Sequence, residues 1–138
     1  LHPVWRMAVA GLNEFEQAVL EKLLAGDHPV LAVLRAQAQA ARLASREYTG
    51  AGFFLSFDVP PDASLLPTKD FHFGDVNAVV DGLRYGAGFV VFVRGGRLDT
   101  LEGYSYEEPW PKEIRGFKLS YQREPRELSL PDSSTSVT

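Results

Sequence analysis

Apolar residues recur at three- and four-residue steps along the first third of the chain, a spacing that places them on one face of a helix. The first stripe follows Asn13, a residue type that caps helices well, and Gly26 ends it. Its members are Leu12, Phe15, Val19, Leu23 and Leu24. The second stripe is rich in alanine, follows Asp27 as the predicted N-cap, and consists of Leu31, Leu34, Ala38 and Ala41. The first third of the chain therefore predicts two consecutive amphipathic helices.

Beyond Tyr48 the pattern changes to alternation of apolar and polar residues, the period of half-buried β-strands. The predicted strands are 53–59, 71–80, 87–94, 97–106 and 117–122. Their connections are short, which favours antiparallel neighbours. The predicted fold class is α+β, with two N-terminal helices packed on a mainly antiparallel sheet of about five strands.

Gly95 and Gly96 form a turn signal between two long strands. A two-residue turn at these glycines pairs Val93 with Leu98 and Val91 with Thr100. A register slip of one residue would exchange the two faces of the sheet, and the sequence alone allows both registers. Because neither face is wholly polar in the predicted register, both are expected to be partly covered.

The chain has 138 residues and a mass of 15.3 kDa, the size of one domain. We predict a single α+β domain over 1–125 and a polar tail over 126–138 that is mobile or held by a neighbour. A net charge of -4 argues against nucleic-acid binding, which requires a basic face. No apolar stretch is long enough to cross a membrane and no signal-peptide pattern is present, so a soluble cytoplasmic protein is expected. The absence of cysteine fits a reducing compartment.

A histidine beside a carboxylate is the first candidate for chemistry. His72 and Asp75 lie in the segment FHFGD, and a bulge at Gly74 would bring the two side chains together. With Glu102 they form a candidate ligand pocket on a sheet face. Against this, His72 and Asp75 point to opposite faces of a regular strand, and a surface histidine with a turn-forming aspartate explains both residues.

An aromatic and acidic segment is the second candidate site, and we interpret it as a partner-contact patch. The residues of this patch are Tyr104, Tyr106, Glu107, Glu108 and Trp110. Exposed aromatic residues supply a large and rigid contact area. Carboxylates beside aromatic rings also suit a glycoside-cleaving pair, although their separation is not visible in a sequence. Alternatively, Trp110 between two prolines anchors a loop over the edge of the core.

Motifs that would identify a cofactor or a metal are missing. The three histidines have no HExxH or comparable spacing, and no lysine-serine or lysine-threonine pair follows the glycines Gly82, Gly86 and Gly88. No serine lies in a nucleophile-elbow context. We therefore predict neither a metal nor a cofactor.

The segments REYTGAGFF, FHFGDV and LEGYSYEEPWP resemble segments of small bacterial α+β proteins of unassigned function. With the strands between them they cover roughly the middle half of the chain. The resemblance implies a compact bacterial domain and carries no catalytic residue with it.

These observations favour a non-enzymatic protein-interaction or regulatory domain that binds a protein partner. A small-molecule-binding protein or hydrolase-like enzyme with a site on the sheet face is one alternative. A structural homodimer, built on the alanine-rich helix or on a strand edge, is the other.

Overall fold

A computed structural model describes residues 9–132, which form two helices and seven strands. The predicted α+β class is confirmed. The elements in chain order are α1 (Glu14–Leu24), α2 (Pro29–Ala40), β1 (Arg42–Tyr48), β2 (Gly52–Asp58), β3 (Phe71–Phe73), β4 (Val76–Val80), β5 (Ala87–Arg94), β6 (Arg97–Ser105) and β7 (Phe117–Tyr121). No helix in this part of the chain has the length and apolar character that crossing a membrane requires.

All seven strands belong to one antiparallel sheet, in the order β1-β2-β6-β5-β4-β7, with β3 also paired to β5. The helices pack on one side of this sheet: α1 contacts β4 and β7, whereas α2 contacts β6. The apolar core lies between these two layers.

The helices begin where local capping chemistry places them. Asn13 accepts a hydrogen bond from the backbone N–H of Glu16, and the Glu16 carboxylate accepts one in return from the N–H of Asn13. The predicted cap of α2 was one residue too early: the Nδ1 atom of His28, and not Asp27, accepts the N–H of Val30. Every member of the two predicted stripes is buried except Leu12, which is half-buried.

The sheet has seven strands where about five were predicted. The strand β1 was missed because its sequence, RLASREY, continues a polar and alanine-rich helical pattern. Its pairing with β2 decides its conformation, and tertiary pairing overrides weak local preference. The predicted strand 71–80 is divided at Gly74 and Asp75 into β3 and β4, because β5 runs close to the backbone of Gly74.

The β5–β6 hairpin has a different register from the predicted one. Gly95 and Gly96 both adopt positive φ in the turn, and Val93 pairs with Leu98 as expected. Asp99 is then an extra residue in β6, so that Phe92 pairs with Thr100 and every later pair shifts by one. The side chain of Asp99 accepts hydrogen bonds from Arg94 and Thr100. This bulge turns Leu101 toward the helices, where it is fully buried.

Two buried polar side chains join the helical layer to the sheet. Gln37 of α2 donates to the backbone oxygens of Ser64 and Gly96, at 2.8 and 2.9 Å, and accepts the N–H of Leu98 at 2.8 Å. Glu16, only 2% exposed, forms an ion pair with Arg46 of β1. The pKa of Arg46 is raised, chiefly because its guanidinium donates to the Glu16 carboxylate.

Candidate functional site

One side of the sheet is covered by the helices, whereas no helix or strand within residues 9–132 covers the other side. The apolar and aromatic side chains there are only partly buried. We call this surface the open face and define it by Phe54, Val90, Phe92, Glu102, Tyr104 and Tyr106. A sheet normally buries its apolar faces, whereas this one leaves part of an apolar and aromatic surface accessible to solvent. Both faces were expected to be partly covered: within residues 9–132 the helices cover one face, and most side chains on the other are half-buried.

The charge on the open face is acidic. Cross-strand pairing places a carboxylate on each side of Phe54. The paired residues form a row across four strands, in the order Glu47, Phe54, Glu102 and Val90. At the ends of these strands the charges cancel within the pairs Arg42–Asp58 and Arg94–Asp99. Neither Glu47 nor Glu102 has an ion-pair partner among the described residues. Two uncompensated carboxylates thus flank an aromatic ring.

Tyr104 and Tyr106 lie side by side on the open face, at the end of β6. The rings of Tyr104 and Tyr106 meet edge to face, with centroids 5.6 Å apart. Their hydroxyl groups lie over Gly88, where a Cβ atom would come within 2.7 Å of both. Burial, the neighbouring Tyr106 with its hydrogen bond, and the Glu102 carboxylate all raise the pKa of Tyr104. Tyr104 therefore stays neutral throughout the physiological range and can act as a hydrogen-bond donor.

The residues of the predicted ligand pocket do not converge. His72 is exposed on the open side of the sheet, where its ring lies 5.7 Å from that of Phe92. Glu102 lies on the same side but on another strand and in another cross-strand row. Asp75 is buried on the helix side. The chain breaks at Gly74 and Asp75 between β3 and β4, and His72 and Asp75 lie on opposite sides of the sheet.

Asp75 has a structural partner in Arg126. Both oxygens of the carboxylate accept from the guanidinium, at 2.7 and 2.9 Å. The same guanidinium donates to the backbone oxygens of Leu23 and Ala25, which are left without helical partners at the end of α1. Its cation also lies over the ring of Tyr121, 4.5 Å from the centroid. Arg126 belongs to the segment predicted as a polar tail, and residues 133–138 of that segment lie outside the described residues.

The predicted contact patch does not form a single surface. Tyr104 and Tyr106 lie on the open face, and Glu107 is exposed in the following turn. Trp110 packs instead on the helix side, with its ring centroid 5.2 Å from that of Phe53 and 6.1 Å from that of Phe15. It anchors the loop over the edge of the core.

Glu108 holds a neighbouring loop in place. Its carboxylate accepts the backbone N–H groups of Arg84 and Tyr85, each at 3.0 Å. These two hydrogen bonds to the charged form lower the pKa of Glu108. The 84–85 loop is therefore held against the end of β6.

The sequence pattern missed Phe54, Val90 and Phe92 as site residues, although it placed all three on strands. Their importance depends on which face the helices cover and on the bulge at Asp99. Within residues 9–132 no group of three or more histidine, aspartate and glutamate side chains comes together as a metal site would require. Neither a family model, nor a curated protein, nor a solved structure matches this chain.

Proposed function

We propose that this protein is a non-enzymatic regulatory domain of the cytoplasm that binds a basic protein partner through the open face. The observation that carries the proposal is the half-exposed aromatic surface on one side of a sheet whose other side is covered. Aromatic residues in the centre of an exposed surface are the side chains that dominate binding energy in protein interfaces.

The charge of the open face supports the choice of partner. Glu47 and Glu102 flank Phe54, and both lack an ion-pair partner among the described residues. A partner that places lysine or arginine around an apolar side chain would match this row. The net charge of -4 would speed such an encounter at low ionic strength.

Two features favour this function over the alternatives. The candidate catalytic residues His72, Asp75 and Glu102 do not share a pocket, which weakens a hydrolase-like site on the sheet face. A homodimer built on the alanine-rich helix is disfavoured, because Ala38 and Ala41 of its stripe are already buried within the domain. Two copies joined through their open faces would oppose acidic surfaces, which is unfavourable.

The test uses the purified full chain as bait in affinity capture, followed by binding measurements with each isolated partner. We expect Phe54→Ser and Glu102→Lys each to weaken binding by at least about tenfold, the scale of an interface hot spot. Binding should also weaken as salt is raised, because the attraction is partly electrostatic. Retention of full affinity by both variants would overturn the proposal.

The matched control is Asp62→Lys, which makes the same change of charge in an exposed loop outside the open face. It should leave binding nearly unchanged. Sedimentation of the free protein checks the remaining alternative: a dimer that Phe54→Ser converts to a monomer would assign the open face to self-association.

A further inference from the structure

A cleft of about 410 Å³ lies beside the open face, between β4, β7 and the 84–86 loop. Three of its lining side chains are large and unusually exposed: Val79 at 67%, Tyr85 at 58% and Tyr106 at 38%. We call it the tyrosine cleft. Its volume is within the range of sites that hold small organic ligands.

The polar lining of the tyrosine cleft favours a negative charge. Arg84 supplies a guanidinium, 6.0 Å from the centre of the Tyr85 ring. Asn77, Ser120 and the hydroxyls of the two tyrosines supply further groups that can donate hydrogen bonds. Among the residues that the structure describes, none with a carboxylate lines the cleft. This lining is unusual in a chain with four more negative than positive charges.

A second cation near the tyrosine cleft adds to its preference for a negatively charged ligand. Lys118 pairs across the strands with Val79, on the same side of the sheet, and has no ion-pair partner among the described residues. The Glu108 carboxylate lies beside the 84–85 loop, where it accepts the backbone N–H groups of Arg84 and Tyr85 and also interacts electrostatically with Arg84. Those bonds fix the loop that carries the cation and one aromatic wall, so less ordering is required when a ligand binds.

We propose that the tyrosine cleft binds a small organic acid, with its carboxylate at Arg84 and its apolar body between Tyr85, Tyr106 and Val79. A guanidinium matches the geometry of a carboxylate and makes charge-assisted hydrogen bonds to it. This site is separate from the row of Glu47, Phe54 and Glu102. The inference goes beyond the proposed protein partner and does not depend on it.

The test is an NMR titration of the full chain, labelled with nitrogen-15, using 3-phenylpropionate as the probe. Shifts should concentrate at the residues that line the tyrosine cleft. The neutral isostere 3-phenylpropionamide should bind at least about fivefold more weakly, because it cannot make the charge-assisted bonds. Equal binding of acid and amide would overturn the proposal.

Single substitutions test the roles of the Arg84 guanidinium and the Tyr85 ring in the tyrosine cleft. Arg84→Gln should weaken binding of 3-phenylpropionate by at least about fivefold while keeping the backbone N–H that Glu108 holds. Tyr85→Ala should also weaken the binding of 3-phenylpropionate, because it removes one aromatic wall of the tyrosine cleft. The control Arg115→Gln removes an exposed arginine outside the cleft and should have no effect. An Arg84→Gln protein that binds as tightly as wild type would contradict the assignment.

A final titration distinguishes two possible ligands of the tyrosine cleft: a free organic acid and a carboxylate side chain on a peptide. The probe is an N-acetylated, C-terminally amidated Asp-Phe dipeptide. Binding of 3-phenylpropionate at the cleft supports the small-molecule site. Binding of the dipeptide alone would overturn it in favour of a peptide ligand. Phe54→Ser should leave this titration unchanged, so failure here is distinguishable from failure of the proposed function.

Discussion

The ion pair between Asp75 and Arg126 should be one of the strongest single contributions to stability in the domain. The side chains are only 10% and 14% exposed, so water screens their attraction poorly. Arg126 also donates to the carbonyl groups of Leu23 and Ala25 at the end of α1. Removing either partner leaves a charge with little access to water and without its counter-ion.

The expected cost follows from this burial. Breaking a buried ion pair by removing one partner costs roughly 3–5 kcal/mol, and the remaining exposure places this pair near the lower end. We expect Asp75→Asn to lower the free energy of unfolding by about 3 kcal/mol, since the amide cannot supply the charge. Arg126→Met should cost about 4 kcal/mol, because it also leaves two helix carbonyls unpaired. At roughly 3–4 °C per kcal/mol, Asp75→Asn should lower Tm by about 10 °C.

The measurement is urea unfolding of wild type, both single variants and the double variant, followed by tryptophan fluorescence. The double variant should lose about 2 kcal/mol less than the sum of the two single losses. A coupling below about 0.5 kcal/mol would refute the reasoning, because the two groups would then be energetically independent. The control is Arg123→Ala, which breaks the exposed Arg123–Glu127 pair and should cost less than about 1 kcal/mol.

Three further predictions concern Gly88, Glu108 and Gln37. Gly88→Ala should displace the hydroxyl ends of the two tyrosines, cost less than about 1.5 kcal/mol in urea unfolding and weaken partner binding; unchanged chemical shifts of Tyr104 would contradict this. The pKa of Glu108 is below its ordinary value of 4.5, so its stabilising effect is complete above that pH and is lost as the pH falls. The difference in unfolding free energy between wild type and Glu108→Ala should therefore shrink on acidification below pH 4.5, and a difference that grows would contradict the assignment. Gln37→Ala should cost about 2–4 kcal/mol in urea unfolding, because it removes two buried hydrogen bonds, to the Gly96 oxygen and from the Leu98 N–H, and a partly buried one to the Ser64 oxygen. The exposed control Gln39→Ala should cost almost nothing.

Part of the candidate site followed from local pattern and part did not. The alternation placed Phe54, Val90 and Phe92 on strands, and the segment after Gly103 was expected to present tyrosines for contact. The inclusion of Trp110 in that patch rested on residue type alone. Burial decided otherwise, since the Trp110 ring is large and apolar and packs beside Phe53 on the opposite side of the sheet.

The sequence by itself determined the two helices, most of the strands and the turn at Gly95 and Gly96. These features depend on caps, on three- and four-residue spacing and on glycines with positive φ, all of which act over a few neighbouring residues. The tertiary structure alone decided the strand β1, the bulge at Asp99 and the pairing of Asp75 with Arg126, 51 residues away. Each depends on contacts between segments far apart in the chain. Contacts of this kind also determine which side of the sheet the helices cover. They therefore leave the open face and the tyrosine cleft exposed.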